Sequence, residues 1–180
     1  RWDLPETLVS VGELSAVRVA EISNGLFSQG VDVVINRAVL DYDLLLILGP
    51  VFPHEVAGFS GGNKYLFPGI AGGELLHFTH WLGAMVTCWD TIGIRDTPVR
   101  RAINAAAELV PAERLCVSMV VHSKEELSGL FVGETMESWT AATKISADKH
   151  IIYKEKPFKT VLGRSPAMYD ELWVAGKVMY

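Results

Sequence analysis

The feature that most constrains the fold is a continuously apolar run at residues 43–49 (DLLLILG) that leads into a loop dense in glycine and proline. Residues 49–73 hold seven of the 16 glycines and three of the 8 prolines. Glycine and proline at that density break helices and strands. A short continuous apolar run is typical of a strand buried on both faces of a parallel sheet. Ligands of open α/β sheets bind beyond the carboxyl ends of strands, so we expect a binding site in this loop.

Strands and helices are predicted to alternate along the rest of the chain. The composition predicts further strands at residues 16–22, 31–35, 114–121 (also buried) and 158–162, and a turn of helix at residues 37–41. Apolar spacing predicts helices at residues 74–89, 99–109, 134–148 and 167–180, the second of them capped by Thr97 with Pro98 in its first turn. This alternation predicts an α/β domain with a mainly parallel sheet and flanking helices, a Rossmann-like layered arrangement.

Composition limits the partners of the chain. A net charge of −5 and a pI near 5.5 argue against nucleic acid, which requires a basic patch. The longest apolar run, residues 44–48, is far shorter than the roughly 20 residues that cross a bilayer. Two cysteines make no disulfide framework, which indicates a cytoplasmic protein. A mean hydropathy of +0.25 is high for a free-standing domain and suggests a large core, or a face covered by a further domain or, in a homo-oligomer, by another subunit.

The loop contains two groups that could carry chemistry, Lys64 and His54. Desolvation by the aromatic residues around Lys64 would favour amine chemistry such as covalent attachment, although a surface lysine would simply be solvated. His54 follows the buried strand and could act as a general acid or base. The histidines at 77 and 80 are three residues apart on a predicted helix, which suits either a metal pair or one ligand beside a structural neighbour. Alternatively, the glycine-rich loop is only a tight crossover between elements, and its histidines are ordinary polar residues.

Phosphate-binding motifs do not match this loop. A Walker A motif needs four residues between its glycines and Ser or Thr after the lysine, whereas Tyr65 follows Lys64 here. No G-x-G-x-x-G fingerprint is present. Gly61 and Gly62 would still let backbone N–H groups approach an anion closely.

One longer motif resembles a known family. Residues 53–69 read P-H-x-x-A-G-F-S-G-G-x-K-x-x-x-P-G, and a histidine, His80, follows the lysine by sixteen positions. This pattern resembles the lactate racemase family, whose enzymes use a nickel pincer nucleotide. The resemblance extends to D-T-P-V-R-R at residues 96–101 and to S-P-A-M-Y-D-E-L-W-V-A-G-K at residues 165–177.

The resemblance implies roles for individual residues. Lys64 would carry the nucleotide through a thioamide link, and His80 would bind its nickel ion. His54 would be one of two catalytic histidines, and Lys177 would contact the substrate, a small-molecule 2-hydroxy acid. The glycines that would close around the nucleotide are Gly58, Gly61 and Gly62.

The chemistry implied by the resemblance is inversion at C2. A base removes the hydroxyl proton while hydride leaves C2 for the cofactor, which gives a planar 2-keto acid; return of hydride to the other face gives the enantiomer. Imidazole is a suitable nitrogen ligand for Ni²⁺ beside soft sulfur donors.

The chain also departs from the family pattern. The second catalytic histidine and the residues that hold the cofactor phosphate lie upstream of this loop in the family, but no histidine precedes His54. Asn63 replaces a frequent arginine. We therefore expect a fragment of a two-domain racemase or epimerase: residues 1–163 as most of the cofactor-attachment domain and residues 164–180 as a junction helix leading to a second domain.

Two other functions remain open at this point. Lys64 could form a Schiff base with a carbonyl substrate while His54 shuttles protons, which borohydride trapping would detect. Alternatively, the chain could be a non-catalytic binding or assembly domain that retains the motif for structural reasons, and variants of Lys64 and His80 would then leave partner binding unchanged.

Overall fold

The computed structural model describes residues 4–165 and 175–176. The strands are β1 (Leu8–Leu14), β2 (Val31–Asn36), β3 (Leu44–Pro50), β4 (Pro53–His54), β5 (Gly58–Phe59), β6 (Glu113–Val121) and β7 (Leu127–Glu134). The α-helices are α1 (Ala16–Ile22), α2 (Gly73–Val86), α3 (Pro98–Glu108) and α4 (Thr135–His150). Short 3-10 helices lie at Pro5–Thr7, Arg37–Asp41, Gly62–Tyr65 and Cys88–Asp90. Among the described helices, none is both long and apolar enough to cross a membrane.

The chain is an α/β protein with flanking helices, as predicted, and its largest sheet is mixed. The two strands predicted to be buried, β3 and β6, pair in parallel, with Leu46 beside Leu115. β7 then pairs with β6 in the antiparallel sense, and β1 with β2 and β4 with β5 are also antiparallel. The expectation of a mainly parallel sheet therefore holds for β3 and β6 and not for the other described pairs.

Residues 16–22 form helix α1, so the predicted strand there is wrong. The Ser15 hydroxyl caps the helix by accepting a hydrogen bond from the Arg18 N–H at 3.2 Å. Val19 and Ile22, three residues apart, are the buried members of this segment. A serine cap together with helical spacing of the buried residues outweighs the modest strand preference of valine and isoleucine.

Two clusters of buried side chains form the core. In the larger, α2 packs on β2 and α3, with Val33, Leu75 and Ile103 fully buried. In the smaller, α4 covers one face of β6 and β7 and buries Trp139 against Phe59. The glycine-rich loop lies between these clusters, so packing holds it from two sides.

The other face of the three-stranded sheet is uncovered in the described part of the chain. We call it the open sheet face; Leu46 is 66% exposed and Val132 is 68% exposed. Its main exposed members are Leu44, Leu46, Leu48, Leu115, Leu130 and Val132. The expectation that β3 is buried on both faces is therefore wrong here, because an apolar run does not specify what packs against it. Six of the 24 exposed large hydrophobic side chains of the described residues lie on this face.

Residues 158–162 form no strand, contrary to prediction. They are exposed and pair with no described strand, and Leu162 is 97% exposed. The predicted helix at residues 167–180 lies largely outside the described residues, as does Lys177. Its role in substrate binding, and the boundary at residues 163 and 164, stay predictions.

Candidate functional site

A cavity of about 460 Å³ lies between the glycine-rich loop and helices α2 and α3. Its lining residues are His54, Glu55, Val56, Ala57, Lys64, Pro68, Thr79, His80, Gly83, Ala84, Thr87, Cys88, Val99 and Ile103. The structure thus brings three predicted site residues, His54, Lys64 and His80, to one cavity. His77 is exposed and does not contribute to the lining, so it is not brought together with His80 there.

The loop is a defined structure and not a loose connection. β4 and β5 form a tight antiparallel pair that places His54 beside Gly58. The Ser60 hydroxyl accepts a hydrogen bond from the Phe52 N–H at 2.8 Å and donates one to the Pro50 carbonyl at 3.1 Å. The chain then enters the 3-10 turn Gly62–Tyr65, which carries Lys64 to the cavity wall.

The hydrogen bonds of His54 define its neutral tautomer. Nδ1 accepts hydrogen bonds from the N–H groups of Val56 at 3.1 Å and Ala57 at 3.3 Å. In the neutral ring the proton is therefore on Nε2. A carboxylate oxygen of Glu55 also lies 3.5 Å from Nδ1. If Nδ1 becomes protonated, Glu55 can accept that hydrogen, so the ring has an acceptor for its second proton beside it.

His80 has the opposite tautomer, which leaves on Nε2 a lone pair that can bind a metal. Its Nδ1 lies 2.7 Å from the Leu76 carbonyl one turn earlier in α2, and a carbonyl can only accept, so Nδ1 donates. The lone pair is then on Nε2. A metal-binding histidine characteristically donates its other ring N–H to a carbonyl or carboxylate, which orients the ring. His80 thus suits an ion such as Ni²⁺.

Metal-ligating side chains do not cluster in the described part of the chain. Residues 4–165 contain no group of three or more His, Cys, Asp or Glu side chains arranged to hold a metal ion. The described residues would therefore offer a metal at His80 few further ligands, and a bound molecule could supply others. A pincer nucleotide attached to Lys64 on the same cavity wall would supply such ligands, so the residues present fit such a group.

Gly58, Gly61 and Gly62 are buried, have positive φ and do not contribute to the cavity lining. A Cβ atom on Gly58 would collide with the carbonyl oxygen of Ile94, and one on Gly61 would lie 2.7 Å from Cγ2 of Val51. In this structure the glycines let the loop pack against the protein itself. Their contact with a nucleotide stays a prediction.

Substitution of Gly58 with alanine should lower the free energy of unfolding by about 3 kcal/mol, since it adds a backbone clash to an unfavourable φ. Gly25 is the matched control because it has the same φ of +82° with no atom within 4 Å of an added Cβ. Gly25→Ala should cost only about 1 kcal/mol, the backbone strain alone. Urea unfolding of both variants measures the difference, and equal losses would contradict the clash.

The sequence interpretation missed Arg100 and Trp139, which hold the loop from α3 and α4. The Trp139 indole N–H donates to the Ser60 carbonyl at 2.8 Å, and the Arg100 guanidinium donates to two neighbouring carbonyls. A signal for Arg100 exists in the sequence: it precedes Ile103 by three positions and Ala107 by seven, which places a charged residue on the buried stripe of a helix.

The fold and the cavity define a class of protein: an α/β domain with a lysine and two histidines on the wall of one cavity. Comparison with known proteins shows which proteins this domain is similar to. Residues 17–90 match the family of the lactate racemase N-terminal domain. Lactate racemase of Thermoanaerobacterium thermosaccharolyticum is 28% identical over 112 residues, and that of Lactiplantibacillus plantarum is 35% identical over 72 residues. These matches support a relation between this chain and the lactate racemase N-terminal domain family.

Two solved structures share the fold of this chain. A protein from Thermotoga maritima superposes with a TM-score of 0.87 at 31% identity, over 98% of this chain and 45% of that one. The lactate racemase apoprotein of T. thermosaccharolyticum superposes with a TM-score of 0.68 at 21% identity, over 83% of this chain and 33% of that one, and supports the fold. The aligned regions span 62% and 40% of this chain, and only 26% and 16% of the two curated racemases.

Proposed function

We propose that this chain is the cofactor-attachment part of a racemase or epimerase that acts on small 2-hydroxy acids. Lys64 would carry a nickel pincer nucleotide and His80 would bind the nickel ion. The observation that carries the proposal is the position of His54, Lys64 and His80 on the wall of one cavity of about 460 Å³. The two curated relatives named lactate racemase support the substrate class.

The cofactor explains why so few catalytic side chains are needed. The hydrogen on C2 of a hydroxy acid is a very weak acid, and the bound nucleotide supplies an acceptor and donor for it as hydride. The chain's own residues would bind the nucleotide, orient the substrate and move the hydroxyl proton. Lys64, half-buried at the turn Gly62–Tyr65, would fix the position of the nucleotide in the cavity.

His54 would exchange the hydroxyl proton of the substrate through Nε2. To act as a base it must first place its proton on Nδ1, and the carboxylate of Glu55, 3.5 Å away, can accept that hydrogen bond. The N–H groups of Val56 and Ala57 stabilise the other neutral tautomer, in which Nε2 holds the proton. Inversion needs acid and base groups on both faces of the substrate, and His54 would supply one of them.

The natural protein, produced with and without the enzymes that make the nucleotide, tests the proposal. We expect a mass increase on the peptide that contains Lys64, bound nickel, and interconversion of D- and L-lactate or a related acid only when the nucleotide is supplied. An unmodified Lys64 with no retained nickel would refute the proposal. Trapping of a carbonyl substrate on Lys64 by borohydride would instead indicate a Schiff-base enzyme.

Replacement of His54 with asparagine should lower kcat for interconversion by about 10²- to 10⁴-fold, because the amide cannot accept or release the substrate proton. Nucleotide attachment and nickel content should stay at wild-type levels. His77→Asn is the control, since His77 is on α2 and outside the cavity lining. Wild-type turnover in the His54 variant would contradict the assigned role.

A further inference from the structure

Three consecutive carbonyl groups of the glycine-rich loop are bound by side chains from two helices. The Arg100 guanidinium of α3 donates to the carbonyl of Phe59 and, at 3.2 Å, to that of Gly61. The Trp139 indole of α4 donates to the carbonyl between them, that of Ser60, at 2.8 Å. We call Arg100 and Trp139 together the carbonyl clamp.

The clamp places a positive charge in the protein interior. Arg100 is only 2% exposed, and burial lowers its pKa to about 9, so it stays protonated at neutral pH. Among the described residues it makes no ion pair; its guanidinium lies 4.3 Å from the centroid of the Trp139 ring. Burial of a charge without a carboxylate is costly, so its compensation here comes from carbonyl dipoles and the indole face.

The clamp connects directly to the lysine of the cavity. The Gly61 carbonyl, which Arg100 binds, also accepts a hydrogen bond from the Lys64 backbone N–H at 3.3 Å. The side chain of Asn63 adds a second connection, because its amide donates to Asn104 of α3 at 3.1 Å. Helices α3 and α4 therefore determine where the backbone of Lys64 lies.

We infer that Arg100 and Trp139 are positioning residues that hold Lys64 at the cavity wall in the orientation needed for attachment of a nucleotide. That this placement serves nucleotide attachment rests on the proposed function. That the two side chains fix the position of the Lys64 backbone does not. The planar guanidinium bonds two carbonyls at once, which a lysine ammonium on a flexible stem reproduces poorly. The indole N–H binds the third.

The test uses the natural protein and two substitutions that keep most of the packing. Trp139→Phe removes the N–H donor and retains an aromatic ring under Arg100. Arg100→Lys retains the charge and removes the planar guanidinium that binds two carbonyls at once. Arg101→Gln is the matched control, since Arg101 is on the same helix and pairs with exposed Asp96 on the surface. All variants are first compared by thermal unfolding, and the assays below are run well below their Tm.

The first measurement is acetylation of the folded apoprotein by an activated ester, followed by peptide mass spectrometry. We expect the rate at Lys64, relative to exposed Lys159 in the same molecule, to rise about threefold or more in the two clamp variants because the turn opens more often. Arg101→Gln should leave this ratio unchanged. An unchanged or lower ratio in both folded clamp variants would overturn the inference, because a merely stabilising role would lower Tm alone.

The second measurement is nucleotide loading of Lys64 during co-production with the nucleotide-making enzymes. Misplacement by about 1 Å can cost a reaction about 100-fold, so we expect loading to slow by about tenfold or more in the clamp variants. Wild-type loading in both would overturn the inference. Absence of loading in the wild-type protein would refute the proposed function instead, and the acetylation ratio would then decide the positioning role by itself.

Discussion

Replacement of Lys64 with arginine should abolish attachment of the nucleotide and lower racemisation by at least about 10³-fold. Arginine retains the positive charge and much of the length of lysine. Its guanidinium, however, stays protonated at neutral pH and is not a nucleophile. The mass of the peptide that spans residues 62–65 should then be that of the unmodified sequence.

Lys144→Arg provides the control for this experiment, because Lys144 is on α4 and outside the cavity lining. That variant should load and turn over as the wild type does. Activity of the Lys64 variant with a nucleotide bound at any other residue would contradict attachment at this position.

Replacement of His80 with alanine should lower the nickel affinity by at least about 10- to 100-fold while the nucleotide stays attached to Lys64. The reason is that the Nε2 lone pair, oriented by the bond from Nδ1 to the Leu76 carbonyl, would be the metal ligand that α2 contributes at the cavity. Metal analysis after gel filtration measures the loss, and mass spectrometry of the same sample checks that the attachment persists.

His77→Ala separates a specific loss from a general effect on α2. His77 lies on the same helix and is exposed, but it does not contribute to the lining of the cavity. It should retain nickel at the wild-type ratio. Equal losses in the two variants, or full nickel in His80→Ala, would exclude His80 as the ligand.

Local signals in the sequence are sufficient to predict most of the helices and strands and to place a site at the glycine-rich loop. The helix at Pro98–Glu108 follows from Thr97 as cap and Pro98 in the first turn, and the hydroxyl of Thr97 does accept a hydrogen bond from the Arg100 N–H at 3.1 Å. His54, Lys64 and His80 lie within 27 positions of each other along the chain, so one strand, one loop and one helix bring them together. Geometry of that kind is local and can be predicted.

The error at residues 16–22 is local, since Ser15 caps a helix there, whereas the errors about β7, Arg100 and β3 concern interactions between distant segments. β7 was not predicted, because Gly129 and Gly133 interrupt its pattern and it is defined by pairing with β6. The burial of Arg100 depends on α4 and the loop, which are separated along the chain. Likewise, the composition of β3 does not show that one of its faces is open.

Strand β3, which contributes to the open sheet face, is also an edge strand in the described part of the chain. Among residues 4–165, β3 pairs only with β6, so the backbone groups on its other side form no ladder with a described strand. β3 carries no charge and only one proline, Pro50 at its end, although charge and proline are two features with which exposed strand edges commonly resist pairing with other molecules. Any segment or subunit that packs there protects the protein from intermolecular β-aggregation as well as stabilising it. Substitutions that loosen this packing would therefore reduce the yield of soluble protein before they reduce the activity of each folded molecule.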